Sequence, residues 1–343
     1  MAEPAASSAY PATLPPAPRR LVESGAPVFG AWAGSVLDAG FAGLAGDYPR
    51  SAVDRRLVEK RWVYLLVPLR EAMLALAIVD TGYLSSGICA VFDRESRRLL
   101  ADSNPVLPPL LARISDAPAD GLDARLAGPL VRARFQRSAG RILATAKWGN
   151  VDVDLALDAD GAPPALSACC PLGPGRFNFT QKLIGLRGNG EIRVGNTRFP
   201  VAGESCGMDF THGCLLRETR WKWAFATGTG RVAGFNFSEG FMQQGTGECA
   251  AWIDGAPVAT GPVQFEHDPD RPLDLWHVRS ADGSVDLTFR PEGQRAQDID
   301  LKLIASRYVQ PFGAFEGHVT SATGERVALR DLPGVVEDHE ARW

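Results

Sequence analysis

Apolar and polar residues alternate one for one through much of the chain. Val151, Val153, Leu155 and Leu157 interleave with Asp152, Asp154 and Asp158. Trp221, Trp223 and Phe225 interleave with Arg220, Lys222 and Ala224, and Val285, Leu287 and Phe289 with Asp286, Thr288 and Arg290. Ile299, Leu301 and Leu303 repeat the pattern near the C-terminus. A period of two places successive side chains on opposite faces of a strand. The runs are separated by turn pairs such as Asp160-Gly161, Asn189-Gly190, Asp254-Gly255, Asp282-Gly283 and Thr323-Gly324, which favour tight hairpins. The pattern therefore predicts an all-β protein of antiparallel sheets, closed as barrels or stacked as sandwiches. Ala52 to Trp62 departs from it: Val53, Leu57, Val58 and Trp62 suit either one short helix or the start of a strand.

At 343 residues, and about 150 residues per domain, the chain has length for two units. Pro171-Leu172-Gly173-Pro174-Gly175 punctuates it near the middle. The expected organisation is a flexible Pro/Ala-rich lead-in over 1–20, a β-domain over 21–175, and a second β-domain over 176–343 that carries a pocket. Aromatic content supports the last point, with 11 aromatic residues before position 176 and 18 after it. The 36 basic and 40 acidic residues leave a formal charge of -4, so no basic excess drives nucleic-acid binding. The most apolar run, Tyr64 to Val79, is broken by Pro68, Arg70 and Glu71, and it is shorter than the ~20 residues of a membrane-spanning helix. A peripheral contact with a membrane surface stays open. The N-terminal stretch lacks the basic and apolar regions of a secretory leader. Six cysteines without a CxxC pair fit reduced, buried thiols in a cytoplasm. A Cys206–Cys214 bridge would require a hairpin between them.

Several strings carry a resemblance. Asn178-Phe179-Thr180-Gln181-Lys182 is followed by Asp209-Phe210-Thr211-His212-Gly213, Arg220-Trp221-Lys222-Trp223-Ala224 and Gly234-Phe235-Asn236-Phe237. Glu248-Cys249-Ala250-Ala251-Trp252-Ile253-Asp254-Gly255, Gln310-Pro311-Phe312-Gly313 and Gly334-Val335-Val336-Glu337-Asp338 complete the set. Together they resemble the bacterial family known as domain of unknown function 2804, from about residue 25 onward. That family is similar in architecture to paired lipocalin-like proteins, including carotenoid 1,2-hydratases and attH-type proteins. The resemblance implies two lipocalin-like (calycin) β-domains packed together and an apolar ligand. It supplies no catalytic residues, so these must come from chemistry.

Asp209 and His212 lie three residues apart between Gly207 and Gly213, where a bent segment would turn side chains into a cavity. A carboxyl group in an apolar hollow has its pKa raised by desolvation and can act as a general acid, with histidine relaying the proton. The plainer reading makes Asp209 a turn cap and His212 the wet end of a strand. Glu248 is the second candidate acid, and Trp252 shares its face. Trp221 and Trp223 share one face and can stabilise a cation at about 0.5–2 kcal/mol each, or simply fill a core. Asn236 points opposite to Phe235 and Phe237, either to solvent or inward. Tyr308, Gln310 and Phe312 form one stripe, and Pro311 argues for an edge or rim. Glu337 and His339 could pair as acid and base, but a solvated tail is the simpler expectation.

Other chemistries find little support. No GxxxxGK[ST] string occurs, and the five histidines show no HxH or HExxH spacing for a metal. The GxG at Gly228–Gly230 joins apparent antiparallel strands, as a hairpin does. The expectation is an acid–base enzyme of hydratase, dehydratase or isomerase type, without cofactor or metal. Its substrate would be a lipophilic, isoprenoid-like molecule reacting through a carbocation. Asp209, His212 and Glu248 would be catalytic, with Trp221, Trp223, Asn236, Trp252, Tyr308 and Phe312 holding substrate. The alternative is a non-catalytic carrier of a hydrophobic ligand.

Overall fold

The computed structural model describes residues 13–49, 51–240, 247–300, 302 and 304–343. Among them, strands dominate and pair antiparallel in two large sheets, the first of fourteen strands and the second of nine. The alternating runs form strands as expected: Val151–Asp158 and the start of Val285–Asp300 bury every second residue. Leu301 and Leu303 lie outside the described residues, as do positions 1–12 of the expected lead-in. Residues 13–20 are anchored, with the Ala17 N–H donating to the Ala33 carbonyl at 3.2 Å. Both readings of Ala52 to Trp62 hold in part. Ala52–Val58 is a helix capped by the Ser51 hydroxyl, which accepts from the Asp54 N–H, and a strand begins at Glu59.

In the first sheet the middle strands run in the order Ala72–Asp80, Glu59–Pro68, Thr197–Cys214, Arg176–Val194, Val151–Asp158. The sheet curls until its far edge, Ala112–Ile114, returns to Ala72–Asp80. The Ala112 N–H then donates to the Ser85 hydroxyl across the gap. In the second sheet, Val232–Glu239, Glu218–Thr227, Arg326–Arg342, Ala305–Thr320 and Val285–Asp300 are successive neighbours. This sheet also curls, and Glu239 accepts from the Phe265 N–H on its far strand. The architecture is thus two lipocalin-like curled β-sheets, each nearly closed.

The chain passes from one sheet to the other between Cys214 and Glu218. The expected division at 175/176 falls inside the first sheet instead. Pro171 to Gly175 form a bulge and tight turn in the hairpin joining Leu166–Gly173 to Arg176–Val194. Cys206 and Cys214 lie on one strand, and all six cysteines are free and buried. Eight residues of extended chain hold the two about 26 Å apart, so they cannot bridge. Pro311 sits in a central strand and not at an edge. The ladder to Arg326–Arg342 pairs Val309 and Phe312 but not the residues between, which accommodates the missing N–H.

Alternation divides each curled sheet into an inner and an outer face, and both faces are used. Val63, Leu65, Met208 and Phe210 fill the first barrel, while Ala224, Ala226, Phe235 and Phe237 fill the second. The opposite parity, Tyr64, Leu66, Trp223, Phe225, Trp252 and Phe312, forms a third apolar layer between the barrels. Gly207 permits the close approach there. A Cβ at that position would come within 2.6 Å of the Phe225 ring.

Candidate active site between the two barrels

The hollow expected within the C-terminal half lies instead in the layer between the sheets. A cavity of about 120 Å³ is walled by Trp62, Tyr64, Ala77, Val79 and Ile88 from the first sheet, and by Trp221, Trp223 and Tyr308 from the second. Both sheets also contribute polar groups: Asn178, Lys182, Asp209 and Thr211 on one side, Ser238, Glu248, Glu337 and His339 on the other. The C-terminal barrel does not enclose the site because the Trp221 stripe has the parity of its outer face. Its interior is packed with phenylalanines and aliphatics.

The two sheets present the same constellation twice. Trp62 and Tyr64 alternate on one strand, and Asp209 on the next strand stands opposite Tyr64. Trp221 and Trp223 alternate likewise, and Glu337 stands opposite Trp223. In each sheet the first tryptophan's Nε1–H donates to the acid, Trp62 to Asp209 Oδ2 and Trp221 to Glu337 Oε1, both at 2.9 Å. The halves meet face to face. The Trp62 and Trp221 rings stack with centroids 6.3 Å apart, and Tyr64 meets Trp223 edge-on at 5.3 Å.

What differs is the donor supplied by the next strand. Lys182 Nζ donates to Asp209 Oδ1 at 2.7 Å, whereas Gln310 Nε2 donates to Glu337 Oε2 at 2.7 Å. Asp209 accepts further bonds from the Thr180 and Thr211 hydroxyls at 3.0 and 3.3 Å. Its oxygens are therefore occupied by donors. Lys182 also lies 3.5 Å from Glu248 Oε2, which makes no hydrogen bond among the described residues. Burial opposes the charge on Lys182, but the two carboxylates outweigh it and hold its pKa above the ordinary lysine value. Burial pushes the Glu248 carboxyl up, assisted by the negative charge of Asp209 and only partly offset by Lys182. Glu248 is thus the acid in this cluster inclined to keep a proton.

A second chain of contacts leaves the cavity on the other side. His339 Nδ1 lies 3.4 Å from Glu337 Oε1, and its Nε2 is 2.9 Å from the Ser306 hydroxyl. The imidazole lies against Trp221, with centroids 4.0 Å apart. Glu337 is only 7% exposed, so the solvated tail expected here is instead a central strand. Arg326–Arg342 is hydrogen-bonded along both edges.

Of the residues singled out from sequence, Asp209, Glu248, Trp221, Trp223 and Tyr308 meet at this cavity. Asn236 stands just behind it, accepting from Trp223 Nε1 at 2.8 Å and donating to the Glu248 carbonyl at 2.6 Å. It orients the Trp223 ring and holds the Glu248 backbone without lining the hollow. Trp252 and Phe312 lie in the apolar layer but not on the cavity. Trp252 donates to the Pro164 carbonyl, and Phe312 stacks on Phe92 at 5.2 Å.

His212 is separated from Asp209 altogether. Three residues along a strand reverse the face, so its ring points into the first barrel, fully buried and stacked on Phe41 at 3.6 Å. Nδ1 faces the Ala39 carbonyl at 2.9 Å and Nε2 the Glu59 carboxylate at 2.8 Å. Burial and the neighbouring Arg61 charge lower the His212 pKa, and the Glu59 carboxylate only partly offsets them. Burial opposes the Glu59 anion, but His212 and Arg61 outweigh it and lower its pKa to about 2.

Trp62, Tyr64, Lys182 and Asn178 were not singled out as site residues. Trp62-Val63-Tyr64 carried a usable signal, since it repeats the spacing of Trp221-Lys222-Trp223. Lys182 carried none beyond its place in a quoted string. Among the described residues no group of three or more His, Cys, Asp or Glu is arranged to hold a metal ion.

The family described as domain of unknown function DUF2804 matches residues 31–343. This chain belongs to that family. The DUF2804 chain also resembles solved structures across nearly its whole length. CghA solved with Sch210972 shares 12% identity at a TM-score of 0.56, covering 96% of this chain and 98% of that one. Kievitone hydratase from Nectria haematococca shares 9% at 0.51, covering 92% and 98%. A putative AttH from Nitrosomonas europaea shares 14% at 0.48, covering 82% and 91%. At these identities the likeness is one of fold. No curated protein matches the DUF2804 chain in sequence. No helix among its described residues is long and apolar enough to cross a membrane.

Proposed function

We propose that this protein is an acid–base enzyme of hydratase, dehydratase or isomerase type. It acts without a cofactor on a lipophilic small molecule in the cavity between its barrels. The observation that carries the reading is Glu248: a buried carboxyl group, its pKa raised by desolvation, reaching into a hollow lined by four tryptophans. Protonated Glu248 delivers a proton to a double bond of the substrate. The resulting cation faces the π-clouds of Trp62, Trp221 and Trp223, each contributing about 0.5–2 kcal/mol when desolvated. Asp209, fixed by Lys182, Trp62 and two threonines, adds a preorganised negative charge that needs no rearrangement as the cation forms. Glu337 and His339, across the cavity, accept the proton lost from an attacking water or from a neighbouring carbon.

The likeness in fold to a kievitone hydratase supports hydration chemistry on this scaffold, and the apolar walls support a lipophilic substrate. A carrier would need the same walls but no proton donor. The test begins with mass spectrometry of the small molecule that copurifies with the protein, followed by incubation of the complex in D2O. Solvent deuterium should enter the ligand, and Glu248→Gln should slow incorporation by about 10²-fold or more. A wild-type protein that binds its ligand and introduces no deuterium is a carrier, and the enzymatic reading is then wrong.

A further inference from the structure

Three polar atoms at this cavity are buried and make no hydrogen bond among the described residues: the Tyr64 hydroxyl, Asn178 Oδ1 and Glu248 Oε2. Tyr64, Asn178 and Glu248 are respectively 4%, 3% and 3% exposed. Buried polar groups are paired in the great majority of cases, and each orphan costs the desolvation of its group. Two orphans, and a Glu248 oxygen held by nothing closer than Lys182 at 3.5 Å, mark a place for polar atoms of a ligand. A pure hydrocarbon satisfies none of them. A hydroxyl can donate to Asn178 or Glu248 and accept from Tyr64, and a carbonyl can accept from Tyr64 or from protonated Glu248.

A second cavity, of about 150 Å³, adjoins the first. The two share Val79, Ile88, Tyr308, His339 and Trp343. Its own lining brings Leu84, Val106, Ile299 and Ile304. Its polar side chains are mostly engaged elsewhere: Asn104 donates to Gln297 and Tyr308, and Ser306 bonds His339. Arg342 is an exception, pairing with Asp300 while its Nε makes no hydrogen bond. The cleft is therefore polar-lined at one end and greasy at the other.

We infer that the ligand is an oxygenated amphiphile. Its head, a ring or short segment bearing at least two hydroxyl or carbonyl oxygens, occupies the first cavity, and an aliphatic chain runs into the second. The inference rests on the reading above only in taking this cleft as the ligand site. It narrows the lipophilic, isoprenoid-like molecule expected from the sequence to one whose oxygens orient it against Glu248.

Binding tests it without requiring turnover. The full-length protein is titrated with 4-ethyl-, 4-butyl- and 4-hexylresorcinol and with the corresponding dimethyl ethers, following quenching of tryptophan fluorescence. Each added methylene should tighten binding about fourfold, and each resorcinol should bind about tenfold tighter than its ether. Tyr64→Phe should shrink the preference for the free hydroxyls. Ile299→Trp, which fills the second cavity, should remove the gain with chain length. Ethers that bind as tightly as resorcinols would show that water satisfies the three atoms and would overturn the proposal. So would affinity independent of chain length, or no binding at millimolar concentration. The expected binding pattern with no deuterium incorporation into the native ligand would defeat the enzymatic reading and leave this one standing.

Discussion

Replacing Lys182 with methionine removes the cation that lies between two buried acids. Lys182 Nζ is 2.7 Å from Asp209 and 3.5 Å from Glu248, and all three side chains are about 5% exposed or less. Methionine preserves the apolar stem, so the loss is chiefly one of charge. Breaking a buried pair by removing one partner costs about 3–5 kcal/mol, because the remaining charge is left uncompensated. Taking unfolding entropy as about 2.1 cal/mol/K per residue, the 343 residues convert this to a drop in Tm of about 4–7 °C.

The pH dependence sharpens that expectation. Without Lys182, the buried Glu248 carboxyl loses the charge that partly offsets its desolvation, and it binds a proton more readily when folded than when unfolded. Native stability is then greatest below the unfolded carboxyl pKa of about 4 and is lost as pH rises through the folded value. The deficit relative to wild type should be small near pH 4 and widen toward pH 8. Differential scanning fluorimetry across that range, with circular dichroism to confirm strand content, measures it. A variant as stable as wild type at pH 8, or a deficit independent of pH, would refute the claim that Lys182 compensates two ionisable carboxyls.

The remaining expectations are independent of one another. If protonated Glu248 is the acid, its raised pKa makes turnover fall as pH rises through that value, and Glu248→Gln should flatten this limb of the kcat/KM profile. His212→Phe keeps the stack on Phe41 but leaves the Ala39 carbonyl without its histidine partner and Glu59 with Arg61 alone. It should cost about 1–3 kcal/mol of stability and leave ligand affinity unchanged, measured by thermal unfolding and by tryptophan quenching. Gly207→Ala places a methyl 2.6 Å from the buried Phe225 ring and should destabilise by about 1–3 kcal/mol through overpacking. Combining it with Phe225→Leu should recover part of that loss.

The strands and their antiparallel pairing were legible in the sequence because alternation and turn chemistry are local, whereas the two-unit organisation came from chain length and the family resemblance. Local rules also placed Trp221 with Trp223, and Asn236 opposite Phe235 and Phe237. They even carried the information that separates His212 from Asp209, since positions three apart on a strand face opposite ways. The punctuation at 171–175 was local too, and it marked a hairpin because composition identifies a turn without saying what the turn joins.

Only the tertiary structure decided which face of each strand would be the interior. Both faces of Glu59–Pro68 and Glu218–Thr227 are apolar enough to be buried. One lines its own barrel and the other meets the neighbouring barrel, and period-two alternation is blind to that choice. Lys182, Asp209, Glu248 and Glu337 come together across strands far apart in the chain, and the shifted pKa values of Lys182 and Glu248 depend on the burial and charge pairing that docking creates. Chemistry at this site is a property of the contact between two sheets, which neither strand pattern nor residue spacing encodes.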